Sequence, residues 1–400
     1  MELTPERSER SHYVRVPADW IAGCSDAGRR HDVNQVELVN EAVRAALADA
    51  KMTIDEIDAV LLGNMEFFEG CHMTDCWLAD GTGAYGKPGI KITTGGTVGA
   101  TIVCAGAHHV ASGLFDKVLC IGFEKQEEGD TGAILSGVAH PLFGRSMAGA
   151  AVGYFAMMGS SYMAAWGAKE EHSAMVAVKA RQNARKNQYA HLKLDIGIQD
   201  VLNSRMLAYP IRMLDMCPAS NGACAMILSD EKTARDRCAR PVWIRAMDTA
   251  HNEQFEISWR DVLDRRPKFS TTCASRIYRK LGIADPAAYF DVFEVYEPAT
   301  WAELQWYEDL GLCAPGQGFR LVEEGKTGID GPMPVNPSGG VLSTNCIGAS
   351  AMLRVWEAAL QIRGDAGGHQ VPKEVRRALT TGYGGTNWTV MTALSRNPED

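Results

Sequence analysis

The chain has no long apolar run: nowhere in its 400 residues does a hydrophobic stretch approach the roughly 20 that a membrane-spanning helix needs. Its opening, Met1-Glu-Leu-Thr-Pro-Glu-Arg7, lacks the apolar core of a secretory signal. It has no basic excess either. Lys and Arg total 40 against 49 Asp and Glu, a formal net charge of -9 that offers nucleic acid no electrostatic footprint. Low-complexity tracts and flexible linkers are missing too. Cysteine is not scarce, but its 11 copies are odd in number and scattered through apparent core segments, which argues against a disulfide framework. Cys104, Cys120 and Cys224 sit among Ala, Val, Ile and Gly, where a free thiol acts as a small hydrophobe. A reducing cytoplasm is the expected compartment. Cys71-His72 with Cys76 is not closed by a second Cys or His pair, so no metal is expected.

What is there is an ordinary globular composition, with 46% apolar and 22% charged residues. The length calls for more than one simple core. Helix-like and strand-like segments alternate, which predicts α/β architecture. Asn40–Ala50 has helical spacing and Ile57–Gly63 reads as a buried strand; Ala274–Leu281 and Phe290–Tyr296 repeat that order. Each unit carries an Asp, Asp58 or Asp291, just before the strand core. Val103–Ser112 with Lys117–Gly122 is echoed by Ile347–Gln361 with Ala378–Gly382, so an internal duplication is expected. The division is 1–239 and 240–400, with Pro241–Ala246 as the strand opening the second half. The stretch 125–235 reads as an inserted helical subdomain, with helices around Ala151–Met163 and His172–Asn187 and no further strand alternation. In open α/β sheets, sites form beyond the carboxyl ends of the strands.

Ile92-Thr-Thr-Gly-Gly96-Thr-Val-Gly99 reads as a loop that ends a strand and opens a helix, aiming backbone N–H groups at whatever sits over it. The small-residue run Ala100–Gly113 behind it reads as a buried helix, where His108 and His109 pack or face a partner. Val176-Ala-Val-Lys-Ala-Arg-Gln-Asn183, Ser204–Ile211, Leu214–Ala225 and the turn Asn336-Pro-Ser-Gly-Gly340 then carry a resemblance to the thiolase superfamily, its sterol-carrier-type branch above all. It spans about residues 40–395. The resemblance implies two similar βαβ halves layered α-β-α-β-α, a helical loop domain, a homodimer core and an acyl-CoA substrate. No cofactor is expected beyond the CoA of that substrate.

Four loops build a thiolase site, and this chain departs in each. Gly96 stands where the nucleophilic cysteine belongs, and Tyr296 where the family has Asn or His. Counting from Asn336 puts Cys346 at the catalytic histidine, with Asn345 before it, and Gly382 at the second cysteine. Without a thiolate at either position, a covalent thiolase cycle has no evident nucleophile, and Thr97 has no evident base. A loop of Gly95, Gly96 and Thr97 can still approach a thioester carbonyl and stabilise an enolate. Tyr296 is then the candidate acid or base, with Glu297 nearby, Tyr383 and Gly384 lining the pocket, and Asn387 and Trp388 as core or pocket wall. The pattern is similar to the thiolase-like steroid side-chain aldolases. That likeness implies retro-aldol cleavage of a β-hydroxyacyl-CoA and a small zinc-ribbon/OB-fold partner in a heterotetramer. Cys346 is open between proton donor, substitute nucleophile and inert lining. A Claisen-type acyltransferase using Cys346, or an inactive scaffold subunit, are the alternatives. The aromatic stretch Asn64–Trp77 would cover the pocket or meet a partner.

Overall fold

Asn34 starts the first helix by a reciprocal cap: its side chain accepts the Glu37 N–H at 2.9 Å, and the Glu37 carboxylate accepts the Asn34 N–H at 2.8 Å. The helix runs Gln35–Ala50, beginning before the expected Asn40, and buries Leu38, Val39, Ala42, Val43 and Ala46 on one stripe. The computed structural model describes residues 12–15, 30–137, 149–252, 268–385 and 388–400; the opening segment 1–7 and Asn387 lie outside them.

Among the described residues one sheet of nine strands organises the chain. They are β1 (His12–Arg15), β2 (Ala59–Gly63), β3 (Gly89–Ile92), β4 (Lys117–Lys125), β5 (Asn221–Ser229), β6 (Val242–His251), β7 (Val292–Glu294), β8 (Arg377–Tyr383) and β9 (Trp388–Ser395). Their spatial order is β3-β2-β4-β5-β1-β6-β9-β8-β7. β2 runs parallel to β3 and β4, and β7 runs parallel to β8. Seven longer helices matter here: α1 (Gln35–Ala50), α2 (Val98–Ala111), α3 (Ala150–Trp166), α4 (Glu170–Lys186), α5 (Phe269–Leu281), α6 (Thr300–Asp309) and α7 (Ile347–Arg363). α1 covers β4 and β5, α5 covers β6 and β9, and α2 and α7 lie against each other. This is the expected layered, duplicated α/β arrangement.

The repeated aspartates play the same part in each half. Asp58 Oδ2 accepts the N–H groups of Asp116 and Lys117 at 2.9 and 2.8 Å, which ties β2 to the start of β4. Asp291 Oδ2 accepts those of Arg376 and Arg377 at 2.8 and 2.9 Å, which ties β7 to the start of β8. The small residues of α2 also have a cause. A Cβ on Gly99 would fall 2.4 Å from the Met352 nitrogen of α7, and one on Gly106 would fall 2.4 Å from Cys120 Sγ. Two helices can touch this closely only with glycine at the crossing.

The stretch 125–235 departs from expectation at its far end. α3 and α4 are present, but β5 follows and pairs with β4 along its whole length, Lys117↔Ser229 to Lys125↔Asn221. A strand buried on both faces has no alternation to betray it. The helical insertion therefore stops short of Asn221.

A buried charge network fastens the Asn336–Gly340 turn. The Glu294 carboxylate accepts the Ser338 N–H and hydroxyl at 3.2 and 2.8 Å and pairs with Arg354 of α7. Both partners are essentially excluded from solvent, at 0% and 2%. Replacing Glu294 by Leu would strand the guanidinium in the core. The expected loss is about 3–5 kcal/mol, read as a lower denaturant midpoint. A midpoint unchanged from wild type would mean that water reaches Arg354.

Candidate active site

Gly96 lies beneath the backbone of the fourth loop. A Cβ placed on it would sit 2.3 Å from the Tyr383 carbonyl oxygen and 3.4 Å from the Tyr296 hydroxyl. The first contact is with backbone, which has no rotamer to escape into. The space a cysteine would need is thus taken, and the nearest reactive atom is a phenol oxygen.

Tyr296 follows the end of β7 and is held on three sides. Val295 donates its N–H to Asn336 Oδ1 at 2.7 Å, Tyr296 donates its own to Thr381 Oγ1 at 2.9 Å, and Trp306 Nε1 donates to the Tyr296 carbonyl at 2.7 Å. The hydroxyl donates to Asn345 Oδ1 at 3.3 Å, long for an O–H···O bond. Burial is the main reason that Tyr296 titrates well above the usual tyrosine range; Cys217 adds to the rise, and a hydrogen bond with Ser350 opposes it. A phenol held neutral in this way needs local donors before it can act as a base.

Asn345 is itself locked. Its N–H donates to Ser220 Oγ at 3.1 Å and its carbonyl accepts the Ser220 N–H at 2.9 Å. Ser350 Oγ donates to Asn345 Oδ1 at 2.9 Å, and Asn345 Nδ2 donates to Cys217 Sγ at 3.2 Å. His191 Nδ1 contacts Ser220 Oγ at 2.8 Å from behind.

Of the expected site residues, Gly96, Tyr296, Asn345 and Tyr383 come together. Gly95 flanks them in the left-handed region at φ 59°. Tyr383 contributes mainly its carbonyl at Gly96; its hydroxyl donates to Tyr154 of α3 at 3.2 Å, a contact that reaches into the inserted segment. The Thr97 side chain turns away, donating to the Thr94 carbonyl at 2.6 Å. Gly384 is required for packing, since a Cβ there would fall 2.0 Å from the Trp388 indole nitrogen. Gly382 has Ala100 and Ala351 at 3.1 and 3.3 Å from its missing Cβ, so a larger side chain would be tight. Glu297 belongs to the neighbouring turn: its Oε1 accepts the Leu342 N–H at 3.1 Å, and its expected partnership with the Tyr296 hydroxyl is replaced by Asn345.

Cys346 is walled in. It has no exposed surface, it is part of the apolar core, and burial pushes its thiol up to about 12. A nucleophilic cysteine needs the opposite environment, electropositive and open. Iodoacetamide at mildly alkaline pH should therefore modify exposed Cys76 and leave Cys346 intact in the native protein, as read by peptide mapping. Rapid labelling of Cys346 would reopen acyl transfer.

Sequence reasoning missed Cys217, Ser350 and Glu124. Cys217 lies inside the run Leu214–Ala225, and the only local signal is its place before Pro218. Glu124, next to last in β4, is fully buried and accepts the Gly348 N–H at 2.9 Å and the Met65 N–H at 3.1 Å. Burial and the nearby Glu69 raise it well above the carboxylate range. It fixes the first turn of α7 without touching the Tyr296 hydroxyl.

No helix among the described residues is long and apolar enough to cross a membrane. Family profiles match both halves: "Thiolase, N-terminal domain" over residues 18–199 and "Thiolase C-terminal domain-like" over 271–397. An acetyl-CoA acetyltransferase of Methanothermobacter thermautotrophicus is 31% identical over 90% of this chain and 94% of its own. Sterol carrier protein 2 of Rattus norvegicus is 29% identical over 90% of this chain, which spans 68% of that longer protein. A solved "Ltp2-ChsH2(DUF35) aldolase" superposes with a TM-score of 0.78 at 23% identity, covering 96% of this chain and 98% of that one. Two matched halves and a near full-length alignment place this chain in the thiolase superfamily, among its sterol-carrier-type members.

Proposed function

We propose that the protein is a carbon–carbon lyase that cleaves a β-hydroxyacyl-CoA thioester by a retro-aldol reaction, to a ketone and a short acyl-CoA. The observation that carries this reading is the exchange at Gly96: no room for a thiol, and the Tyr296 hydroxyl 3.4 Å from where its Cβ would be. In the reaction the β-hydroxyl loses its proton and becomes the ketone oxygen. The Cα–Cβ bond breaks, and its electron pair passes into the thioester as an enolate. The enolate carbon then takes up a proton, so the products balance the substrate. Once its own proton has left to solvent, Tyr296 is suited to both proton movements: as phenolate it takes the β-hydroxyl proton and as phenol it returns it to the enolate carbon. The N–H groups that open the turn Gly95–Thr97 are suited to the enolate oxygen.

The likeness to a structure titled as an aldolase supports this reading, as does that structure's second component. A DUF35 partner is part of the proposal, and the sequence resemblance adds a steroid-sized acyl group and a small zinc-ribbon/OB-fold form for that partner. The names of the acetyltransferase relatives favour a second reading, acyl transfer through Cys346, which the burial of that thiol opposes. The test is incubation with a panel of β-hydroxyacyl-CoA thioesters, with and without the partner, followed by detection of a short acyl-CoA. Turnover of β-ketoacyl-CoA with free CoA instead, abolished by Cys346→Ala, would establish the acyltransferase. No turnover of either class would leave a scaffold subunit.

A further inference from the structure

We infer that the Asn345 side-chain amide is a reversible hydrogen-bond switch for Tyr296, and that Cys217 is the positioning residue that lets it turn. The inference rests on the lyase reading above for its role in turnover, but the contacts stand by themselves.

As the site is built, the amide serves a neutral phenol. Its Oδ1 accepts from the Tyr296 hydroxyl at 3.3 Å and the Ser350 hydroxyl at 2.9 Å, while its Nδ2 donates to Cys217 Sγ at 3.2 Å. The main chain of Asn345 is clamped from both sides by Ser220, so the loop cannot carry the amide away. Only rotation of the amide plane remains.

Each partner can reverse its role. When Tyr296 becomes a phenolate its oxygen can only accept, and the amide as placed would set a carbonyl oxygen against that charge. A half-turn brings Nδ2–H to the phenolate and Oδ1 to Cys217. The thiol, an acceptor before, now donates its S–H. Ser350 need not clash, because its hydroxyl already has a second acceptor, the Cys346 carbonyl at 3.0 Å. No proton is gained or lost by the turn; donors and acceptors are only reassigned. An apolar residue at 217 would leave Oδ1 without a donor in the phenolate state, whereas a hydroxyl would keep both roles. The titratable groups that bear on Tyr296 are Cys217, Cys346 and Glu124, and those that bear on Cys217 are Glu297 and Arg181. None of these titratable groups duplicates the bond to the amide; the Ser350 hydroxyl, which also favours the phenolate, donates beside it and leaves Oδ1 of the turned amide dependent on Cys217.

The test compares Cys217→Ala with Cys217→Ser in the full protein, with its partner present. Cys217→Ala is expected to lower kcat about tenfold with KM nearly unchanged, the size of one lost hydrogen bond. It is also expected to move the alkaline-going rise of kcat/KM to higher pH, because the phenolate state loses support. Cys217→Ser should recover most of both. Wild-type kcat in Cys217→Ala, or equal damage in the two variants, would overturn the switch. If wild-type protein cleaves no β-hydroxyacyl-CoA, the lyase reading fails and the switch is read directly. The side-chain amide signal of Asn345, in protein labelled with nitrogen-15 asparagine and assigned by its loss in Asn345→Ala, should then shift in Cys217→Ala and stay in Cys217→Ser. A signal unmoved in Cys217→Ala would overturn it.

Discussion

Gly96→Cys is expected to destabilise the protein without restoring acyl transfer. The added Cβ meets the Tyr383 carbonyl at 2.3 Å, and Tyr383 is held by the β8–β9 ladder, where it pairs with Thr389. The loop must therefore shift or the ladder must bend, a change that costs about 1–3 kcal/mol in well-packed interiors. Even a thiol that fitted would find no histidine. The next loop offers Asn345 and a buried Cys346, and neither can remove its proton. Two measurements check this: the thermal midpoint should fall, and intact-protein mass after incubation with acetyl-CoA should show no added acetyl group. A variant as stable as wild type and acetylated at that position would mean that the active-site loop is far more pliable than its packing indicates.

Tyr296→Phe is expected to lower cleavage by about 10²–10⁴-fold, the range for losing a positioned proton carrier. The substitution is unusually clean here. The ring keeps its place in the apolar cluster, the backbone bonds to Thr381 and Trp306 do not involve the hydroxyl, and Asn345 keeps Ser350 as a donor. Stability should consequently change by about 1 kcal/mol or less. The kinetic constants for the cleaved thioester and the thermal midpoint together separate chemistry from folding. Unaltered turnover would remove Tyr296 from the mechanism.

The fold was legible where the sequence states its physics locally. Asp58 and Asp291 announced the repeat because each caps the start of the next parallel strand, a job confined to a few neighbouring residues. The small-residue run Ala100–Gly113 announced a buried helix because a close helix crossing admits little else. β5 was not legible: its fully buried run Asn221–Ser229 carries no polar alternation, and it followed a helical region that set the wrong expectation. The site shows the same divide. Gly96 and Tyr296 were readable through the resemblance to thiolase loops, and the structure brings the two together. Cys217 was not, since its meaning comes from Asn345, 128 residues later. The burial of Cys346 was not legible either, since its loop and its chemistry suggest a residue open to substrate while folding turns it inward.

The Gly99 crossing of α2 on α7 has a wider consequence. It sets α2 against α7 with Val98 opening α2 directly after the Gly95–Thr97 turn, while the first turn of α7 gives its Gly348 N–H to Glu124 at 2.9 Å. The α2 terminus carries about half a positive elementary charge from its aligned peptide dipoles. The attraction for a developing anion is thus written into main-chain direction, and a point mutation in the lining cannot erase it. On the proposed lyase reading, a scaffold that supplies its field this way favours a thioester enolate with no reactive side chain at Gly96. New chemistry then requires only a new proton carrier.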